Sequence, residues 1–213
     1  MSYQTPAFRE AIAKMRGQGK ERKFVESVEL LISLRDVNLK DPAQRFSLES
    51  MVPHAIKREI KIGIFADGDL ATRAGNERFT VITNDRLDNL VKNPKEIKAL
   101  ADSHDFFLAD RQAMAKVGRT LGKVLGPRGK MPKPVAPNAP IPELRATYFK
   151  TVKLRLRENP CLNTRIGTVA NTDEELAENA SACMGTLIGK LPRGAQQVKK
   201  VYIKRTMGAS VLV

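Results

Sequence analysis

The sequence predicts two units of different class. The outer unit is α+β, a split β-α-β sheet layer with helices, and it uses both termini. An α/β unit, three-layered and Rossmann-like, is inserted into it. Near both ends of the chain, apolar and polar residues alternate with period two, as in half-buried strands. In the middle, short apolar strands alternate with helical patterns, which argues for a parallel sheet. A Pro-rich run then separates the middle from the C-terminal part. The expected boundaries are 1–66 with 145–213 for the outer unit and 67–144 for the insert. Crossings near 65–67 and 135–145 give two connectors, which permit a hinge.

Thr5-Pro6 reads as a helix start, a capping hydroxyl followed by proline. Phe8, Ala11, Ile12 and Met15 follow at helical spacing, and Gly17 closes the segment. A basic cluster, Lys20, Arg22 and Lys23, precedes a strand with Val28, Leu30, Ile32 and Leu34 inward. Asp41-Pro42 marks a turn. Phe46–Val52 and Lys61–Ala66 read as second and third strands of the outer layer. In the insert, helices open at Asp67-Gly68-Asp69, Asp85, Pro94 and Arg111, with strands at 79–83 and 105–109. The helix from Arg111 is expected to end at Leu125, with Lys116, Arg119 and Lys123 on its outer face. Residues 132–142 read as a stiff connector. Beyond it, Tyr148–Arg157 alternates Val152, Leu154 and Leu156 with Lys153, Arg155 and Arg157. A strand over 164–169 and a capping box at Thr172–Glu175 follow, and the box opens a helix lined by Leu176, Ala180, Cys183 and Leu187. Val198–Arg205 is the last strand, with Val201 and Ile203 inward and Lys200, Tyr202 and Lys204 outward.

The 213 residues carry 37 Lys and Arg against 23 acids, a formal charge of +14. Hydrophobic residues make up 42%, which supports a packed core and argues against wholesale disorder. The charge excess points to a polyanionic partner, foremost nucleic acid. No apolar run reaches membrane-spanning length, and the N-terminus does not read as a signal peptide, so a cytoplasmic protein without membrane partners is expected. Cys161 and Cys183 are the only cysteines and are expected to be reduced and buried. No metal or cofactor set is apparent.

The stretch 118–142, GRTLGKVLGPRGKMPKPVAPNAPIP, has basic residues, four glycines and six prolines but no acid. On glycine and proline content it should not form a regular core element, and it suits phosphate contact. A phosphate-loop reading fails, because Val124 and Met131 stand where that motif needs Gly and Ser or Thr. A Gly-x-x-Gly clamp joining two helices is disfavoured by the proline-rich coil that follows. His54 and His104 are far apart in sequence, and no catalytic signature appears. The chain is read as a binding protein and not an enzyme. Glu29 is the one acid notable on a strand's non-core face, suited to an ion pair or to accepting from guanine or a 2′-hydroxyl. Two other readings stay open: a non-specific basic nucleic-acid-binding protein, and a nucleotide-dependent enzyme on the α/β unit.

Several segments resemble one family. They are KFVESVEL (23–30), DPAQRFSLESMVPH ending at His54, LGKVLGPRGKMPKP (121–134), Ile166-Gly167 and VYIKRTMGASV near the C-terminus. Their order and spacing resemble the universal large-subunit ribosomal protein L-one family, in its archaeal form. The resemblance implies two domains, the first made from both termini. It implies no catalysis and no cofactor. The implied partners are large-subunit rRNA at the mobile stalk, tRNA at the exit site, and the protein's own mRNA, whose translation it represses. Release of deacylated tRNA would be assisted there. The protein would be a monomer off the ribosome. By motif, the RNA contacts carry over to Lys23, Phe24, Ser27, Glu29, Gly167, Thr206, Met207 and Gly208, with Lys200 supplying charge. Gly167 is expected in a turn. Arg128, Gly129 and Lys130 fall in the family's second domain, near its hinge.

Overall fold

A computed structural model describes residues 3–18, 22–41 and 44–213. Lys20 of the expected basic cluster and Pro42 of the expected turn lie outside them. In chain order the first elements are α1 (Thr5–Gly17), β1 (Ser27–Leu34), β2 (Phe46–Met51), β3 (Ile62–Phe65), α2 (Gly68–Asn76), β4 (Thr80–Ile82) and α3 (Asn84–Lys92). Next come α4 (Pro94–Ser103), β5 (Phe106–Asp110), α5 (Arg111–Arg128), β6 (Lys133–Val135) and α6 (Ile141–Phe149). The chain closes with β7 (Thr151–Leu156), β8 (Cys161–Thr168), α7 (Asp173–Lys190), β9 (Val198–Arg205) and β10 (Val211–Leu212). It divides into two compact units, Met1–Arg58 with Phe149–Val213, and Glu59–Tyr148.

The first unit holds an antiparallel sheet in the order β10-β9-β1-β8, and an antiparallel ribbon of β2 with β7. Period-two alternation turns Val28, Leu30, Ile32 and Leu34 to one face of β1. There they join Phe8, Ile12 and Met15 of α1 and Leu176, Ala180, Cys183 and Leu187 of α7. Each fully buried aliphatic side chain contributes on the order of 1.5–3 kcal/mol, so this face drives the unit's folding. The opposite face carries Ser27, Glu29, Arg165, Lys200, Tyr202 and Lys204, all outside the core.

Helix starts follow local chemistry. Thr172 Oγ1 accepts from Glu175 N at 3.2 Å, and Glu175 Oε2 accepts from Thr172 N at 3.1 Å, so the capping box at α7 is complete. At α1 the cap differs from expectation. Gln4 occupies the cap position, Thr5 is already helical, and no side chain caps the helix.

The second unit is a parallel sheet in the order β4-β3-β5-β6. Phe65, Phe107 and Ala109 face the apolar side chains of α3, α4 and α5. Ile62, Ile64, Phe106 and Leu108 face those of α2 and α6. Three expectations change here. The Lys61–Ala66 segment, read as a third strand of the outer layer, instead pairs in parallel with β4 and β5. Its residues are buried on both faces, which suits the centre of a parallel sheet. The helix α5 does not stop at Leu125 but runs on through Gly126 and Pro127 to Arg128. Burial of Val117, Leu121 and Leu125 outweighs the roughly 1 kcal/mol that each interior glycine costs. Finally, the connector over 132–142 contains β6, paired to β5, and the first residues of α6. Proline is tolerated in β6 because it is an edge strand.

Candidate nucleic-acid interface

The antiparallel register brings three distant segments to one end of the outer sheet. Ser27 at the start of β1 lies opposite Thr168 at the end of β8, and Val28 lies opposite Arg205 at the end of β9. Lys23–Ser27 and Thr206–Gly208 therefore meet there, although they are far apart in sequence. Thr206 extends the ladder one rung past the strand. Its N–H donates to Ser27 O at 3.0 Å, and its Oγ1 accepts from Ser27 N at 3.1 Å. The same hydroxyl lies 3.3 Å from Ser27 O, as a donor. Gly208 N donates to Arg205 O at 3.0 Å, closing the turn. A Cβ on Gly208 would stand 3.2 Å from the Arg205 Cβ, so glycine lets the turn stay tight.

Three apolar side chains stand in the open at this end: Phe24 is 54% exposed, Val25 63% and Met207 62%. Phe24 lines a cleft of about 770 Å³ with the cations Arg16, Arg22, Lys23 and Arg205 and the carboxylate of Glu26. Exposed apolar groups set among cations suit bases or riboses flanked by phosphates. Arg16 is held by three contacts. It donates to Asp173 Oδ1 at 2.5 Å, Asn171 O at 2.5 Å and Val169 O at 3.1 Å, which ties α1 to the β8–α7 loop.

The other expected residues are placed differently. Glu29 lies on the open face, two residues into β1, opposite Arg165 and Lys204, and accepts from Asn163 Nδ2 at 3.3 Å. Gly167 is not in a turn. It is buried inside β8, where a Cβ would meet Leu176 Cδ2 at 2.5 Å and Asn171 Oδ1 at 2.9 Å. Its lack of a side chain makes room for α7 and the Asn171 clamp. Lys200 pairs with Ser33 at the far end of the sheet, roughly 17 Å along β9 from Arg205 at about 3.3 Å per residue.

Arg128, Gly129 and Lys130 belong to the second unit, and all three are engaged within it. Gly129 ends α5 in the left-handed region at φ 62°, and Lys130 N donates to Leu125 O at 2.9 Å. Lys130 Nζ donates to Ala101 O at 2.6 Å and His104 O at 2.7 Å, so its charge sits on the C-terminus of α4. Arg128 Nε pairs with Asp102 at 3.0 Å. These bonds make the Gly-Pro-Arg-Gly-Lys segment a cap between two helices of one unit.

Burial pushes the Cys183 thiol up to about 12, so no thiolate forms there near neutral pH. Cys161, expected to be buried, is exposed at the start of β8. Burial lowers the His104 pKa, and its Nδ1 lies 3.0 Å from Leu100 O. His54 Nε2 pairs with Glu178 at 2.6 Å. Among the described residues, no group of three or more His, Cys, Asp or Glu could hold a metal ion, and no helix is long and apolar enough to cross a membrane.

Residues 14–209 match the model of the ribosomal protein L1p/L10e family. The chain belongs to that family. Large ribosomal subunit protein uL1 of Thermococcus kodakarensis is 42% identical, with 100% of this chain and 99% of that protein aligned. The uL1 proteins of Pyrococcus horikoshii (39% identical, 100% and 98% aligned) and Methanothermobacter thermautotrophicus (40%, 96% and 97%) are similar over nearly their whole lengths. Membership in this ribosomal family makes the chain a structural protein and not an enzyme.

Two residues at the sheet end escaped sequence reading. Glu26 is 3% exposed and Arg205 8%. The signal was present, because the inward phase of β1 runs through even-numbered residues and extends to Glu26. The inward phase of β9, Val201 and Ile203, extends likewise to Arg205. Opposite charges in the inward phase of adjoining strands predict a buried ion pair.

Proposed function

We propose that this protein is a structural component of the large ribosomal subunit that binds rRNA through the sheet end formed by Lys23, Phe24, Ser27, Thr206, Met207 and Gly208. The carrying observation is the convergence of those residues, with Phe24 exposed beside Arg22 and Lys23 and Met207 exposed at the same sheet end. Family membership and the uL1 name of its relatives support the ribosomal assignment. The first unit carries the RNA contact, and the two connecting segments permit a hinge to the Rossmann-like inserted unit. In this reading the protein forms the mobile stalk beside the tRNA exit site and assists release of deacylated tRNA. It also binds a similar structure in its own mRNA and represses translation. It works in the cytoplasm and is a monomer off the ribosome. The formal charge of +14 supplies the long-range attraction common to any RNA, while the sheet end selects the folded one.

A filter-binding titration tests this. The stalk segment of archaeal large-subunit rRNA is compared with a scrambled RNA of equal length at about 0.3 M salt, where the purely ionic contribution is suppressed. Selective binding to the stalk is expected. Equal binding to both would leave a non-specific basic protein and overturn the assignment.

A further inference from the structure

The buried charges beneath the sheet end have no part in the contacts assigned above. Glu26 Oε1 accepts from the main-chain N–H of Met207 at 3.1 Å. Its Oε2 lies 3.6 Å from Arg205 Nη1. Its own carbonyl accepts from Val169 N at 3.0 Å, which fixes it to the end of β8. A buried carboxylate is costly unless paired and hydrogen-bonded, and here both conditions hold. Arg205 also reaches this place without saturating its guanidinium: Nη2 is buried and has no hydrogen-bond partner.

The geometry points to a role. We propose that Glu26 is the positioning residue for the Thr206–Gly208 tail, and that Arg205 is its counter-charge, which allows a polyanion to settle above a buried carboxylate. Past Arg205 the strand ladder depends on Thr206 alone, and the next N–H, that of Met207, is held by Glu26 and not by the sheet. The clamp sets where the exposed Met207 side chain projects. Without Arg205, the carboxylate's field would oppose the phosphates that Lys23 and Arg22 attract. Glu26 touches no ligand in this account. It acts through the main chain of Met207.

The inference rests on the RNA-binding reading above, and two substitutions in the full chain test it. Glu26→Gln keeps an acceptor oxygen at the same reach. Glu26→Asp keeps the charge but withdraws the oxygens by one methylene, beyond hydrogen-bond distance of Met207 N. Both are titrated against the stalk RNA over a salt series, below the melting temperature of each variant. Glu26→Asp is expected to bind at least about tenfold more weakly, with its dependence of log Kd on log salt unchanged, because no phosphate contact is lost. Glu26→Gln should rescue affinity to within about threefold of the parent protein, with Met207 N–H still protected from hydrogen exchange. Wild-type affinity in the Asp variant, equal weakness of both variants, or a salt slope lower by about one unit would each overturn the proposal. If the parent protein itself fails to distinguish stalk from scrambled RNA, the functional reading fails and not the clamp. In that case protection of the Met207 N–H in the Gln variant and its loss in the Asp variant decide the positioning role on their own.

Discussion

Replacing Gly167 by alanine tests the packing argument on which the sheet end depends. The added methyl would stand 2.5 Å from Leu176 Cδ2, 2.9 Å from Asn171 Oδ1 and 3.2 Å from Asn171 Cγ, against an ordinary carbon contact of roughly 3.5–4.0 Å. Neither neighbour can yield cheaply. Leu176, near the start of α7, is fully buried in the core. Asn171 Oδ1 accepts from Thr168 N at 3.0 Å, and its Nδ2 donates to Ala55 O at 3.2 Å and Glu175 at 2.9 Å. Overpacking of this kind costs about 1–3 kcal/mol. At about 2–4 °C per kcal/mol, a 2 kcal/mol cost lowers Tm by about 4–8 °C. Gly118→Ala is the matched control. It lies inside α5 with nothing within 4 Å of its Cβ position, so the same chemical change should stabilise by about 0.5–1 kcal/mol. Differential scanning calorimetry of both variants reads the two signs directly. A Gly167→Ala protein that melts at or above the wild-type temperature would refute the claim that close packing, and not ligand contact, requires glycine there.

Three further outcomes are expected. Lys130→Met keeps the aliphatic stem but removes the ammonium from Ala101 O and His104 O, so urea denaturation should show a loss of about 1–3 kcal/mol, as for hydrogen bonds to charged groups. Thr206→Ala and Met207→Ala should each weaken binding of the stalk RNA by roughly 1–3 kcal/mol in a filter assay; wild-type affinity in both would show that the interface lies elsewhere. The Glu175 carboxyl is held down at about 2, first by the Lys57 hydrogen bond and then by those from Asn171 and Thr172. Its folded pKa lies below its ordinary 4.5, so its contribution to stability is complete above pH 4.5 and is lost as pH falls towards 2. Acid unfolding of Glu175→Gln, followed by circular dichroism, should therefore lose pH dependence within that window, and an unchanged acid limb would remove the assigned cause.

The strands and helices of the outer unit were legible because their information is local. Val28 to Leu34 and Val201 with Ile203 alternate at the period of a strand, and Thr172 with Glu175 spells out its own helix start. Charge pointed to nucleic acid, and the family resemblance carried in part by the Lys23–Leu30 and Thr206–Gly208 segments implied RNA. The tertiary structure decided the rest, and in each case a partner distant in sequence was responsible. Local content argued against a helix beyond Leu125, through Gly126 and Pro127, yet burial of Val117, Leu121 and Leu125 against a sheet outweighed it. Lys130 looked free for phosphate until the C-terminus of α4 came within reach of its ammonium. Gly167 is required not by a turn but by Leu176 of α7 and Asn171 packed against it. Glu26 and Arg205 sit at opposite ends of the chain, and only the antiparallel register of β1 with β9 turns two isolated charges into a pair. Periodicity reports the face a residue presents, but which group meets that face depends on contacts made only once the chain has closed on itself.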